Sequence, residues 1–164
     1  MAVLDQNIAC FRFFEEICAI PHGSHNEQAI SDWLMAFAHR RGIQAVQEPC
    51  GNVIMKVPAT AGYEDAPAVM LQAHMDMVCA RTADSTHDFL KDPLDLYVED
   101  GWLKARGTTL GADDGCGVAM ILAALDKEDL KHPALECVFT TTEETGMFGA
   151  QALDTGLLEA KRMI

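Results

Sequence analysis

Two polar residues, His74 and Asp76, interrupt the apolar run of residues 67–78. This run is predicted to be a β-strand, and residues two apart in a strand point to the same face. A histidine beside a carboxylate is able to bind a metal ion through one ring nitrogen while the carboxylate fixes the ring's tautomer. The alternative is a buried histidine that is hydrogen-bonded to a neighbouring aspartate. A single His-x-Asp pair does not distinguish these two interpretations.

Two further acidic pairs follow stretches that are expected to end near the same place. Asp113 and Asp114 lie in the glycine-rich residues 106–115, and Glu143 and Glu144 follow the apolar run 134–142. A phosphate-binding loop is the competing interpretation of residues 111–117, but no lysine follows the glycines and two carboxylates repel phosphate. The same carboxylates suit a cation. The alternative is that the adjacent glutamates lie at a solvent-exposed edge of the sheet and have no chemical role.

The elements that must position these residues alternate between helix and strand. Four helices are predicted. The first spans 7–19, the second follows a capping box at 24–27 and ends at Gly42, and the other two span 118–125 and 150–158. Strands are predicted at 43–48, 52–57, 67–78, 134–142 and from 161, with a hairpin at 97–105. The prediction is an α/β fold with a mixed, largely parallel sheet and helices on both faces. In such sheets, sites form beyond the carboxyl ends of the strands.

Composition limits the possible partners. The 164 residues suit one domain, and 49% are hydrophobic, which is typical of a globular protein. A net charge of −13 argues against binding to nucleic acid or to anionic membranes. No apolar run is long enough to cross a membrane, and residues 1–10 do not resemble a signal peptide. We therefore expect a cytoplasmic protein.

The six cysteines form no C-x-x-C pair, which argues against a zinc knuckle or a small disulfide framework. Most of them lie in apolar contexts and are predicted to be buried thiols in a reducing compartment. The candidate ligands are then one histidine and several carboxylates without thiolates, a set that suits zinc, manganese or cobalt. Several carboxylates and a hydroxide would roughly balance the charge of two divalent ions.

Three motifs resemble the N-terminal signatures of the M20 clan of dinuclear metallopeptidases. They are residues 74–76, 111–115 and 142–146. Further stretches at 71–74, 87–89, 91–93 and 105–113 are similar to the bacterial aminoacyl-histidine dipeptidases of that clan. The resemblance covers essentially the whole chain. It implies a zinc-exopeptidase-like catalytic domain that hydrolyses dipeptides of the Xaa-His type, such as β-alanyl-histidine.

The resemblance also implies a role for each residue. His74 would bind one metal ion, Glu144 the second, and Asp113 both. Asp76 would orient His74, and Glu143 would be the general base that takes a proton from the attacking water. It further implies that the peptide bond after Asp113 is cis, a geometry rare outside proline.

Family members extend beyond this length, with a further aspartate ligand, a lid domain and a distant histidine ligand. We therefore expect residues 1–164 to be the N-terminal part of a catalytic domain, which would be inactive as a peptidase without the rest. A homodimer is possible for the full-length enzyme. The alternatives are another M20 activity, namely a tripeptidase or an N-acyl amino acid amidohydrolase, and a catalytically dead α/β module that binds metal weakly or binds a partner.

Overall fold

The computed structural model describes residues 2–164, which form a five-stranded sheet, a separate hairpin and four α-helices. The strands are β1 (Gln44–Gln47), β2 (Val53–Val57), β3 (Val69–His74), β4 (Leu96–Glu99), β5 (Trp102–Ala105), β6 (Leu135–Thr140) and β7 (Arg162–Met163). The helices are α1 (Ala9–Cys18), α2 (Gln28–Arg40), α3 (Ala112–Leu125) and α4 (Phe148–Ala152), and a 3-10 turn follows at Thr155–Leu157.

The sheet has the order β1-β2-β6-β3-β7. The β1–β2 and β2–β6 pairings are antiparallel, whereas β6–β3 and β3–β7 are parallel. The predicted α/β class with a mixed sheet is therefore confirmed. Because β3 and β6 are parallel neighbours and His74 pairs with Thr140, the residues that follow both strands emerge at the same edge. This edge is where the sequence places its acidic motifs.

The three long helices share one face of the sheet. Alternate residues of β2, β3 and β6, such as Met55, Ala73 and Phe139, form one buried core with residues from α1, α2 and α3. Glu136 of β6 points to the opposite face, where its carboxylate accepts hydrogen bonds from the amides of Glu159 and Ala160. The chain after β6 therefore passes over that second face.

Local turn chemistry decides where two of the predicted elements end. β3 ends at His74, so Asp76 lies beyond the strand and not within it, contrary to the prediction for residues 67–78. The helix predicted at 150–158 is broken after Ala152, because the Asp154 side chain accepts a hydrogen bond from the Gly156 amide and starts a 3-10 turn. The hairpin prediction is confirmed, with positive φ at both Asp100 and Gly101.

Two predictions about burial are wrong. The helix at 118–125 is apolar nearly all round, a pattern that predicts burial in a layered fold, but Met120 is 61% exposed beside an apolar groove between α1, α3 and the β4–β5 hairpin. Of the six cysteines, which are all free, three are exposed: Cys50, Cys79 and Cys116. An apolar local sequence does not show which side of an element faces the sheet. Within residues 2–164, no helix is both long and apolar enough to span a membrane.

The carboxylate of Asp126 ties the ends of three helices together. It lies just after α3 and pairs with the guanidinium groups of Arg12 in α1 and Arg41 after α2. Arg41 also stacks on the Phe37 ring, 3.8 Å from its centroid. Hydrogen bonding to Arg41 outweighs partial burial and lowers the pKa of Asp126 below its usual range.

We expect Asp126→Asn to lower the free energy of unfolding at pH 7 by about 1 kcal/mol, the upper range for partly exposed ion pairs. A carboxyl group whose pKa is lower in the folded state stabilises the fold at pH values above its unfolded-state pKa. This contribution is lost as the pH falls through its folded-state pKa. The difference from wild type should hold from pH 7 to 5 and shrink as pH falls below the ordinary aspartate value of 3.8. Urea unfolding at several pH values measures it.

The matched control is Asp129→Asn. The Asp129 side chain is 82% exposed and forms a single long ion pair, 3.8 Å from the Lys127 ammonium group. This variant should stay within about 0.5 kcal/mol of wild type at every pH. Equal losses in the two variants would contradict a specific role for Asp126.

Candidate metal centre

His74 is the last residue of β3 and is buried, with one ring nitrogen held by the chain that follows. Its Nδ1 is 3.0 Å from the backbone oxygen of Asp76 and 3.4 Å from the Asp76 carboxylate oxygen Oδ1. These acceptors favour the tautomer that carries the proton on Nδ1. Nε2 is then the nitrogen that is available to bind a metal ion.

Asp76 connects the end of β3 to the segment that follows β6. Its Oδ1 accepts a hydrogen bond from the Glu143 amide at 2.9 Å, and its Oδ2 accepts from Ser24 Oγ at 2.7 Å and from the Glu144 amide at 3.3 Å. Burial alone would raise the pKa of this carboxyl, but hydrogen bonds from His74, the two amides and Ser24 lower it to about 2. Asp76 is therefore ionised and fixed, and it is positioned to orient His74.

The three predicted metal ligands converge at the sheet edge. His74, Asp113 and Glu144 each offer one ligand atom, and these atoms lie within 4.8 Å of one another. His74 Nε2 is 3.1 Å from Asp113 Oδ1 and 4.0 Å from Glu143 Oε2. The expected convergence is confirmed, and Glu143, the predicted base, lies beside it.

Asp113 reaches this cluster because the first turn of α3 is irregular. Asp113 and Asp114 have non-helical backbone angles, and the peptide bond between them is cis, as the family resemblance implies. Gly111 precedes them with φ of 68°, and a Cβ built there would lie 2.9 Å from Met77 Sδ. Glycine at 111 therefore allows the turn to pack closely under the segment that follows β3.

The electrostatics of the cluster favour a cation. Burial lowers the pKa of His74, but the carboxylates of Asp76 and Asp113 outweigh it and raise the value to about 9. Partial burial raises the pKa of Glu144, and the negative charges of Asp113 and Glu143 add to this effect although the nearby His74 charge opposes it. A divalent ion would replace the histidine proton and neutralise the crowded carboxylates. Nitrogen and oxygen donors of this kind fit zinc, manganese or cobalt.

Two residues that support this cluster, Ser24 and Glu27, are not assigned to the site by the sequence motifs. The capping-box prediction for 24–27 is wrong, because α2 begins at Gln28 without a side-chain cap. Ser24 instead donates to Asp76, and Glu27 accepts from both the amide and the hydroxyl of Thr142. Their polar side chains in a short loop are the only local signal, and that signal is shared with an ordinary helix start.

Comparison with known proteins finds two close likenesses. The chain is 44% identical, over 92% of its length, to the cytosol non-specific dipeptidase of Escherichia coli, of which it spans 31%. It superimposes with a TM-score of 0.91 and 42% identity on an aminoacylhistidine dipeptidase from Vibrio alginolyticus, covering 94% of this chain and 32% of that one. The chain thus spans about a third of the length of either relative.

A third likeness is more distant and supports the fold alone. A Bacillus subtilis protein, described as a dinuclear metal binding peptidase from the M20 family, superimposes with a TM-score of 0.59 at 18% identity. The match covers 95% of this chain and 42% of that one.

Residues 70–163, more than half of the chain, match the family described as Peptidase family M20/M25/M40. These residues include all three acidic motifs, and the chain belongs to this peptidase family.

Proposed function

We propose that this chain carries part of the active site of a metal-dependent dipeptidase that cleaves Xaa-His dipeptides such as β-alanyl-histidine. The observation that carries the proposal is the convergence of His74, Asp113 and Glu144 within 4.8 Å, with Glu143 beside them. The names of the Escherichia coli and Vibrio relatives, both dipeptidases, support the substrate class.

We propose that the site holds two divalent ions, with zinc as the first choice and manganese or cobalt as alternatives. His74 would hold one ion, Glu144 the other and Asp113 both. Bound divalent metal ions activate water and polarise the carbonyl of the scissile bond. Asp76 keeps the His74 ring turned so that Nε2 faces the site, and it fixes the backbone from which both glutamates project.

Glu143 is assigned the proton transfers. Its side chain is 38% exposed, so its carboxylate is open to water and to a substrate while its amide stays tied to Asp76. In this role the carboxylate takes a proton from the attacking water and gives it to the leaving amine when the peptide bond breaks. Such a step contributes about 10²–10⁴-fold to the rate. We also propose a cytoplasmic location, in line with the word cytosol in the name of the Escherichia coli relative.

The test is a substrate panel with an enzyme of full family length that contains these residues. β-Alanyl-histidine, a tripeptide and an N-acyl amino acid are each incubated with added zinc or manganese, with and without chelator. Metal-dependent cleavage of the dipeptide in preference to the other two supports the proposal. Preference for the tripeptide or the N-acyl amino acid would assign another M20 activity, and no cleavage in any metal would indicate an inactive module.

A further inference from the structure

The backbone turn that carries Glu143 and Glu144 depends on an unusual residue. Thr142 has φ of 52°, in the left-handed region, which a β-branched side chain rarely occupies. This turn directs the next two amides, of Glu143 and Glu144, towards the Asp76 carboxylate. The conformation of Thr142 therefore sets the direction in which both glutamates leave the sheet edge.

A single buried carboxylate oxygen holds Thr142 in this turn. Glu27 is 7% exposed, and its Oε1 accepts hydrogen bonds from the Thr142 amide at 2.9 Å and from the Thr142 hydroxyl at 2.7 Å. The two residues are 115 positions apart in the chain. Glu27 is at the start of α2, but it makes no side-chain cap there. Its hydrogen bonds to Thr142 are thus directed at the site and not at its own helix.

The loop that bears Glu27 is itself anchored to the site. Gly23 forms a parallel bridge with Met77, and the Ser24 amide donates to the Met77 oxygen at 3.2 Å. Met77 directly follows Asp76, which Ser24 also contacts through its hydroxyl. The loop therefore connects the segment after β3 to the segment after β6. The first segment directly follows the predicted metal ligand His74, and the second contains the predicted ligand Glu144.

We propose that Glu27 is a positioning residue for the metal site, acting through Thr142 on Glu143 and Glu144. This inference rests on the proposed function, because it concerns the same site. Both hydrogen bonds end on one oxygen, so the role needs an acceptor at that place and not a negative charge. A glutamine retains that acceptor, whereas a methionine of similar size removes it.

The experiment titrates an enzyme of full family length that contains these residues with Zn²⁺ alone by calorimetry. Glu27→Met should weaken zinc binding by about 10–100-fold, the range for partners that orient metal ligands, and Glu27→Gln should stay within about threefold of wild type. The matched control is Glu136→Met, which removes an equally buried carboxylate from the far end of β6. This control should lose stability to urea without losing zinc affinity.

Thr142→Val is a second variant for the case in which Glu27→Met does not fold. Valine has the shape of threonine and keeps the backbone amide, but its side chain donates no hydrogen bond to Glu27, so this variant should also weaken zinc binding. If both Glu27→Met and Thr142→Val bind zinc as wild type does, or if Glu136→Met loses as much affinity as Glu27→Met, the inference is overturned and the proposed function stands. If wild type binds no zinc, or binds it equally after His74→Ala, the proposed function fails and the inference fails with it.

Discussion

Replacing Glu143 with glutamine is expected to lower turnover by about 10²–10⁴-fold while metal content stays at the wild-type level. The physical reason is that glutamine keeps the shape of the side chain, and its backbone amide still donates to Asp76, but its side chain cannot accept the proton of the attacking water. Turnover and metal stoichiometry are measured in the same preparation of an enzyme of full family length that contains these residues.

Glu159→Gln is the control for this experiment. The Glu159 side chain is 86% exposed and forms a single long ion pair, 3.8 Å from the Lys56 ammonium group. It should leave both turnover and metal content unchanged. Loss of metal in the Glu143 variant would contradict the assignment, because it would make Glu143 a ligand and not the base.

Replacing His74 with alanine is expected to weaken zinc binding by about 100-fold or more. His74 is the only nitrogen donor in the cluster with Asp113 and Glu144, and loss of a ligand should cost at least as much as the 10–100-fold seen for the residues that orient ligands. Calorimetric titration of the 164-residue chain with Zn²⁺ gives the affinity.

His39→Ala provides the matched histidine control, because His39 lies on the exposed face of α2. Its zinc affinity should equal that of wild type. An equal loss of affinity in both histidine variants would mean that zinc binds to surface histidines in general.

Much of the candidate site could be predicted because all of its residues except Asp113, which lies in the first turn of α3, are at or just after the ends of strands whose carboxyl ends meet. The apolar runs before His74 and Glu143 indicate buried strands, and parallel pairing of β3 with β6 brings their ends together. The motif resemblance supplied the individual roles, together with the cis bond after Asp113 that the structure also has. The pattern of strand ends therefore predicts where the site lies, which no single motif does.

The support for the site could not be predicted, because it depends on contacts between distant parts of the chain. Ser24 and Glu27 fit the local pattern of a capping box, yet their partners are Asp76 and Thr142. A buried carboxylate gains more from two donors on a left-handed turn than from the amides of an exposed first helical turn. Local propensity was overruled by a tertiary contact.

The exposed side of α3 illustrates the same limit for packing. Met120 belongs to an apolar stretch that indicates a helix buried on all sides, but α1 and β3 cover only part of it. The sequence of a helix shows how much apolar surface it has. Which part of that surface is covered depends on the number of neighbouring elements and on their placement.

The most direct test of the metal centre is anomalous diffraction at the zinc edge from crystals of this chain grown with Zn²⁺. We expect a zinc peak about 2.0–2.1 Å from His74 Nε2, with carboxylate oxygens of Asp113 or Glu144 at about 2.0–2.2 Å. A zinc peak that is bound through His74 Nδ1, or zinc only at places remote from all three residues, would contradict it.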